Sequence, residues 1–170
     1  MTPDAFLARI IDPGLDVLAN FGGPAPNHNS RRLMLAIAMQ ESGRNLDARY
    51  QSSPSTSPGP ARGWWQFEQG GGVKGVLNHS VSKDLARKVC DHFAVQAHDQ
   101  AVWRTLEGHD HLAACFARLL LLTDPKSLPT TAADGWSYYE RNWRPGKPHR
   151  ETWDGNWTAA EAAVLTSEVA

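Results

Sequence analysis

Cysteine is scarce in this 170-residue chain: Cys90 and Cys115 are the only two, too few for a disulfide framework. Both fall in apolar helical patterns, where a thiol packs as a small hydrophobe. Long hydrophobic runs are also missing. Stretches such as Leu119 to Leu122 fall far short of the roughly 20 residues that a membrane-crossing helix needs, so no membrane span is expected. The N-terminal Met1-Thr2-Pro3-Asp4 has no basic segment of the secretory kind, so no signal peptide is expected. The chain is then cytoplasmic unless something else delivers it. Charge of one sign is not in excess either. Seventeen Lys and Arg stand against eighteen Asp and Glu, a net charge of −1, which offers no cationic field for phosphates and argues against nucleic-acid binding. Finally, no stretch sustains the strict apolar–polar alternation of a half-buried strand.

What is there is an ordinary globular composition, 41% hydrophobic and 21% charged. A chain of this size buries roughly 70% of its unfolded surface, enough for one core, and residues 1–170 read as a single domain. Apolar residues recur every three or four positions, which predicts a mainly α fold. A short helix is expected over 4–11, ended by Asp12-Pro13-Gly14, and a second over 15–21 before Gly22-Gly23-Pro24. The next, over 30–41, has Asn29 or Ser30 as its cap, Leu33 to Met39 as its buried face and Gly43 as its stop. Residues 51–61, rich in Ser, Pro, Thr and Gly, read as an exposed loop. A compact aromatic patch follows from Gly63 to Glu68, then Gly70-Gly71-Gly72. Further helices are expected over about 81–93, 96–106, 111–122 and 132–143. The last of these is stopped by Pro145-Gly146 ahead of a C-terminal helical segment within 145–170 that Thr158 caps.

Within the 30–41 helix, Leu33, Ile37 and Glu41 stand at i, i+4 and i+8, so a carboxylate lies in line with the core-facing residues. Desolvation and the negative end of the helix dipole both favour its protonated form. A carboxylic acid that keeps its proton near neutral pH is what general-acid cleavage of a glycosidic bond needs, because the leaving oxygen must be protonated as the bond breaks. On spacing alone the opposite reading, a frayed helix end with Glu41 in solvent, stays open.

The string Ala36-Ile37-Ala38-Met39-Gln40-Glu41-Ser42-Gly43, followed after a variable stretch by Ala61-Arg62-Gly63-Trp64-Trp65-Gln66-Phe67, resembles the soluble lytic transglycosylase and goose-type lysozyme group. There an apolar helix ends in Glu-Ser and a Gly-x-x-Gln segment follows. The resemblance covers residues 33–75. It implies a lysozyme-like domain with a cleft beside the end of a central helix, cleaving the β-1,4 bond between N-acetylmuramic acid and N-acetylglucosamine in peptidoglycan without a cofactor or metal. Carried over by position, Glu41 is the catalytic acid and then the base, Ser42 helps orient it, and Gly63 and Gln66 line the sugar cleft. Tyr138 or Tyr139 takes the place of the tyrosine that contacts the acid. Trp64-Trp65 replaces the group's usual small aliphatic pair, and Asn142-Trp143-Arg144-Pro145-Gly146 matches its later Tyr-Asn-Ala-Gly segment only loosely. The strings around Trp64 and Trp143 are also similar to small bacteriophage proteins, which implies a virion-associated wall enzyme with other virion or tail proteins as partners. A non-catalytic structural or wall-binding protein of the same fold, and an enzyme acting on chitin or chitosan, are the competing readings.

Seven Trp residues favour carbohydrate, because indole faces stack on the apolar faces of sugars. On extended chain, adjacent Trp64 and Trp65 point opposite ways, so that one reaches the cleft, with Trp65 the candidate, while its neighbour packs inward; the alternative, that both belong to the core, stays open. Trp136, Trp143, Trp153 and Trp157 read as packing residues of the C-terminal segment. A hydrolase needs a second carboxylate, for which Asp47 and Glu68 are the candidates; a lytic transglycosylase needs only the one acid. Two other signals are declined. Gly70-x-Gly72-x-x-Gly75 matches a dinucleotide fingerprint but lacks a βαβ unit around it. His109-Asp110-His111 with Cys90 and His92 lacks the spacing of a zinc site and reads as a solvated helix start.

Overall fold

The computed structural model describes residues 1–47 and 59–169. The chain is mainly helical, as its apolar spacing predicts. Helix α1 (Pro3–Phe6) runs through a π-helical turn, Leu7–Ile11, into α2 (Asp12–Asn20), and α3 spans His28–Ser42. Two short antiparallel strands follow, β1 (Ala61–Arg62) and β2 (Phe67–Glu68), with Ala61 opposite Glu68 and Arg62 opposite Phe67. A second π-helical turn, Gln69–Val73, leads into α4 (Lys74–Asn78). Then come α5 (Lys83–His92), α6 (Asp99–Leu106), α7 (Asp110–Leu122), α8 (Ala132–Trp143) and α9 (Arg150–Glu168).

Helices α3 and α7 form the centre. Leu33 to Met39 and Leu112 to Leu121 are buried without interruption, so both helices are enclosed on all sides rather than on one stripe. Helix α9 packs along α3 and α2 along α7. One hydrophobic cluster extends from Phe6 to Val164.

Three sequence expectations need correction. Asp12-Pro13-Gly14 does not end a helix. The π-helical turn leaves Pro13 in the first turn of α2, where its missing N–H is tolerated, and Arg9 O, four residues before it, accepts from the His111 ring instead at 2.9 Å. Gly14 is needed for a close approach, since a Cβ there would sit 2.6 Å from Ala114 Cβ on α7. The C-terminal helix begins at Arg150, and Thr158 lies inside it, donating to Asp154 O as an interior threonine does. Most of the loop expected over 51–61 lies outside the described residues; at its end, Gly59 and Ala61 are buried, not exposed.

Candidate functional site

The end of α3 is built from both directions. At its start, Asn27 Oδ1 accepts from the Ser30 N–H at 2.9 Å and Ser30 Oγ accepts from the Asn27 N–H at 3.1 Å, a capping box that sets the cap at Asn27 rather than at Asn29 or Ser30. At its finish, Gly43 takes φ +80°, which releases the chain from the helix directly after Glu41 and Ser42. The buried Ser42 hydroxyl donates to Trp64 O at 2.6 Å and ties the helix end to the turn between the strands. That turn closes through Gln66 N–H to Gly63 O at 3.0 Å, and the Gln66 side-chain amide donates to the same oxygen at 2.9 Å. Gly63 has φ +72°, and a Cβ there would lie 2.6 Å from Leu106 O on α6, so any side chain would strain the turn and force it or α6 to shift.

Helix α8 supplies the other side. The Tyr139 hydroxyl donates to Glu41 Oε1 at 2.6 Å, across 98 residues of sequence. Its ring is stacked on Trp153 of α9, centroids 5.4 Å apart and planes within 17°. Four residues further along α8, Trp143 lies near Phe67 of β2, and its indole N–H donates to Trp65 O at 2.9 Å. Helix end, turn and aromatic wall are thus bonded to one another around one carboxyl group.

That carboxyl keeps its proton unusually well. Burial pushes Glu41 up from 4.5 to about 7; the Tyr139 hydrogen bond works against this, and the negative charge of Glu68 adds to it. Burial, then the neighbouring Glu41 charge, raises the Tyr139 hydroxyl, so it stays protonated and remains the donor. With Oε1 taken by Tyr139, the acid's proton is carried on Oε2.

Of the residues the sequence singles out, Glu41, Ser42, Gly63, Gln66 and Tyr139 come together here. Glu68, exposed on β2, reaches Glu41 through its charge. Ser42 acts on the turn rather than on the acid, and it is too buried to meet a ligand. Trp65 does not reach a cleft: it is fully buried, beside Phe6, and its N–H is used by Met34 O at 2.9 Å. Trp64 is buried as well, its N–H on Asp110 Oδ1, because the two tryptophans occupy a tight turn and not the extended chain that would splay them. Tyr138 is on another face of α8, its hydroxyl donating to Leu121 O and its ring covered by Arg141. Asp47 is exposed beside Gly43. Trp143 has more than a packing role; its spacing from Tyr139, i and i+4 on one helix, was the available signal.

The declined motifs resolve into structural roles. The Gly70 to Gly75 stretch follows an antiparallel strand and forms the π-helical turn and the start of α4. The 109–111 segment is not simply solvated: His109 caps α7 through Leu112 N–H, and His111 holds Arg9 O. Cys90 and Cys115 are free and buried, their thiols pushed up by burial to about 11 and about 12. Among the described residues no three His, Cys, Asp or Glu side chains converge as a metal site would require.

A cavity of about 490 Å³ adjoins the acid's surroundings, lined by Pro60, Arg62, Glu68, Gln69, Gly70 and Trp103 among others. Glu41 does not line it; Arg62 and Glu68 do, on the hairpin whose turn is tied to Ser42. Comparison with family models, with curated proteins and with solved structures finds no match.

Proposed function

We propose that the chain is a peptidoglycan-cleaving muramidase of lysozyme-like architecture that acts as a lytic transglycosylase, with Glu41 as its general acid and base. The observation that carries this reading is a half-buried carboxyl, raised to about 7 and held by Tyr139, at a helix end bonded to a glycine turn. An acid with that pKa is half protonated at neutral pH and matched to proton transfer in both directions.

In the first step Glu41 Oε2 delivers its proton to the glycosidic oxygen of the MurNAc–GlcNAc bond. The C–O bond breaks and positive charge develops at the sugar's anomeric carbon. The carboxylate that forms is stabilised by the Tyr139 hydroxyl, whose hydrogen bond favours the charged form. In the second step Glu41 takes the proton of the muramyl C6 hydroxyl as that oxygen closes on the anomeric carbon. The acid is regenerated, no water is consumed, and an anhydro end is left. One carboxyl group suffices for both steps, which suits a site whose other nearby acid, Glu68, is solvent-exposed. The phage-virion setting belongs to the same proposal: a chain with balanced charge and no membrane-crossing helix among its described residues would be carried to the wall by the particle.

The test is digestion of purified peptidoglycan followed by mass analysis of the fragments. Anhydro-ended fragments are expected from the native chain and none from Glu41→Gln, with the fold retained. Release by Glu41→Gln would place the acid elsewhere. Hydrolysed reducing ends would replace the single-acid route with one that activates water and make Glu68 the second carboxylate. Absence of release by the native chain would leave the non-catalytic wall-binding reading.

A further inference from the structure

The cavity beside Glu68 is an open recess between the hairpin, α6 and the loop before β1. Trp103 of α6 stands half-buried in its wall. The indole N–H is fixed to Pro60 O at 2.8 Å, and the Arg62 guanidinium lies 4.3 Å from the ring centroid. Arg62 is itself 7% exposed, and its charge is met by Glu107 at 2.9 Å and by the Gly59 and Ala61 carbonyls. A ring held by that hydrogen bond and that cation presents a rigid apolar surface, and a ligand that uses it loses little freedom in the protein.

Polar groups surround that surface. Glu68 offers a carboxylate acceptor, Gln69 an amide whose N–H is already turned to Asp99 and whose carbonyl oxygen can accept, and Gly70 an exposed backbone. The cation in the recess is already paired, while Glu68 carries an exposed negative charge, so an anionic ligand is disfavoured. The combination suits an uncharged ligand with one apolar face and a rim of hydroxyl and amide groups, which describes an N-acetylated sugar ring. At about 490 Å³ the recess lies within the range of small-ligand sites, roughly 300–1,000 Å³.

From this geometry we infer that the recess of Trp103, Glu68 and Gln69 is a glycan subsite, holding a sugar of the same strand some way along from the bond that Glu41 cleaves. The inference rests on the glycan-cleaving reading. The hairpin provides the continuity: Arg62 and Glu68 on its two strands line the recess, and Trp64 O in its turn accepts from Ser42, the residue next to Glu41.

The experiment uses the full chain carrying Glu41→Gln, so that binding is read without turnover. Peptide-free peptidoglycan glycan strands, a disaccharide and an octasaccharide, are titrated calorimetrically. Trp103→Ala is expected to weaken octasaccharide binding about tenfold or more, as loss of an aromatic anchor does, and to leave disaccharide binding unchanged. Trp103→Phe keeps an aromatic surface but loses the hydrogen bond to Pro60 O, and it is expected to retain most of the octasaccharide affinity. If Trp103→Phe loses as much as Trp103→Ala, the residue acts by bracing Pro60 and the subsite is wrong. Octasaccharide binding indifferent to both changes overturns the subsite alone, whereas no glycan binding by any variant overturns the reading of Glu41 together with it.

Discussion

At the scale of single residues, Glu41 and Tyr139 set each other's protonation. Tyr139 donates to Glu41, which favours the carboxylate and holds the acid lower than burial alone would. Tyr139→Phe removes that donor, so Glu41 should bind its proton more tightly. The alkaline limb of the pH–rate profile of glycan cleavage, which follows loss of the acid's proton, should then move to higher pH, with a lower maximal rate because the carboxylate formed in the first step has lost its partner. A limb that stays in place or moves down would show that Tyr139 does not stabilise the charged form. Glu41 was legible in sequence because a charge in line with Leu33 and Ile37 is anomalous on any helix. Which of Tyr138 and Tyr139 faces it was not, because neighbouring residues on a helix are separated by about 100° and only the packing of α8 decides between them.

At the scale of elements, the site depends on how closely the 63–66 turn approaches α6 and the end of α3. Gly63→Ala would combine a strained φ of +72° with a Cβ 2.6 Å from the Leu106 carbonyl, a backbone atom that cannot step aside. A loss of about 1–3 kcal/mol in denaturant unfolding is expected, with reduced glycan cleavage as the turn shifts away from Ser42. A loss within a few tenths of a kcal/mol would mean that the turn is not fixed there. The helices over 30–41, 111–122 and 132–143 were readable from apolar spacing, and Gly43 as a stop from its type. The run from α1 to α2 was not, because Pro13 and Gly14 break helices locally, and the contacts that reverse this, His111 with Arg9 O and Ala114 against Gly14, come from α7. The cap of α3 was misplaced for a similar reason. Asn27, Asn29 and Ser30 are all competent caps, and the reciprocal Asn27–Ser30 pair selects the first.

At the scale of the whole molecule, α9 clamps the arrangement. Near one end, Glu161 meets Arg32 at 2.7 Å and His28 at 2.9 Å on α3; near the other, Gln40 bonds His149 O, Thr152 and Asn156. Between them Trp153 backs Tyr139. The packing of this helix was legible as a C-terminal segment tied down by tryptophan, but its link to the acid was not, since it passes through three helices distant in sequence. Burying Glu41 loads the entire fold. Its carboxyl ionises near 4.5 when unfolded and near 7 when folded, so between those values the folded chain holds more protons. Stability therefore falls as pH rises through that window and stays lower above it, by an amount on the order of 3 kcal/mol. Thermal melts should show Glu41→Gln more stable than the native chain at pH 8, with the advantage shrinking toward pH 4; a constant difference would contradict the linkage. The most direct measurement follows the side-chain carboxyl of Glu41 by carbon NMR as pH is varied. A midpoint near 7 is expected, and one in the mid-4 range of an ordinary surface glutamate would remove the proton donor on which the proposed cleavage depends.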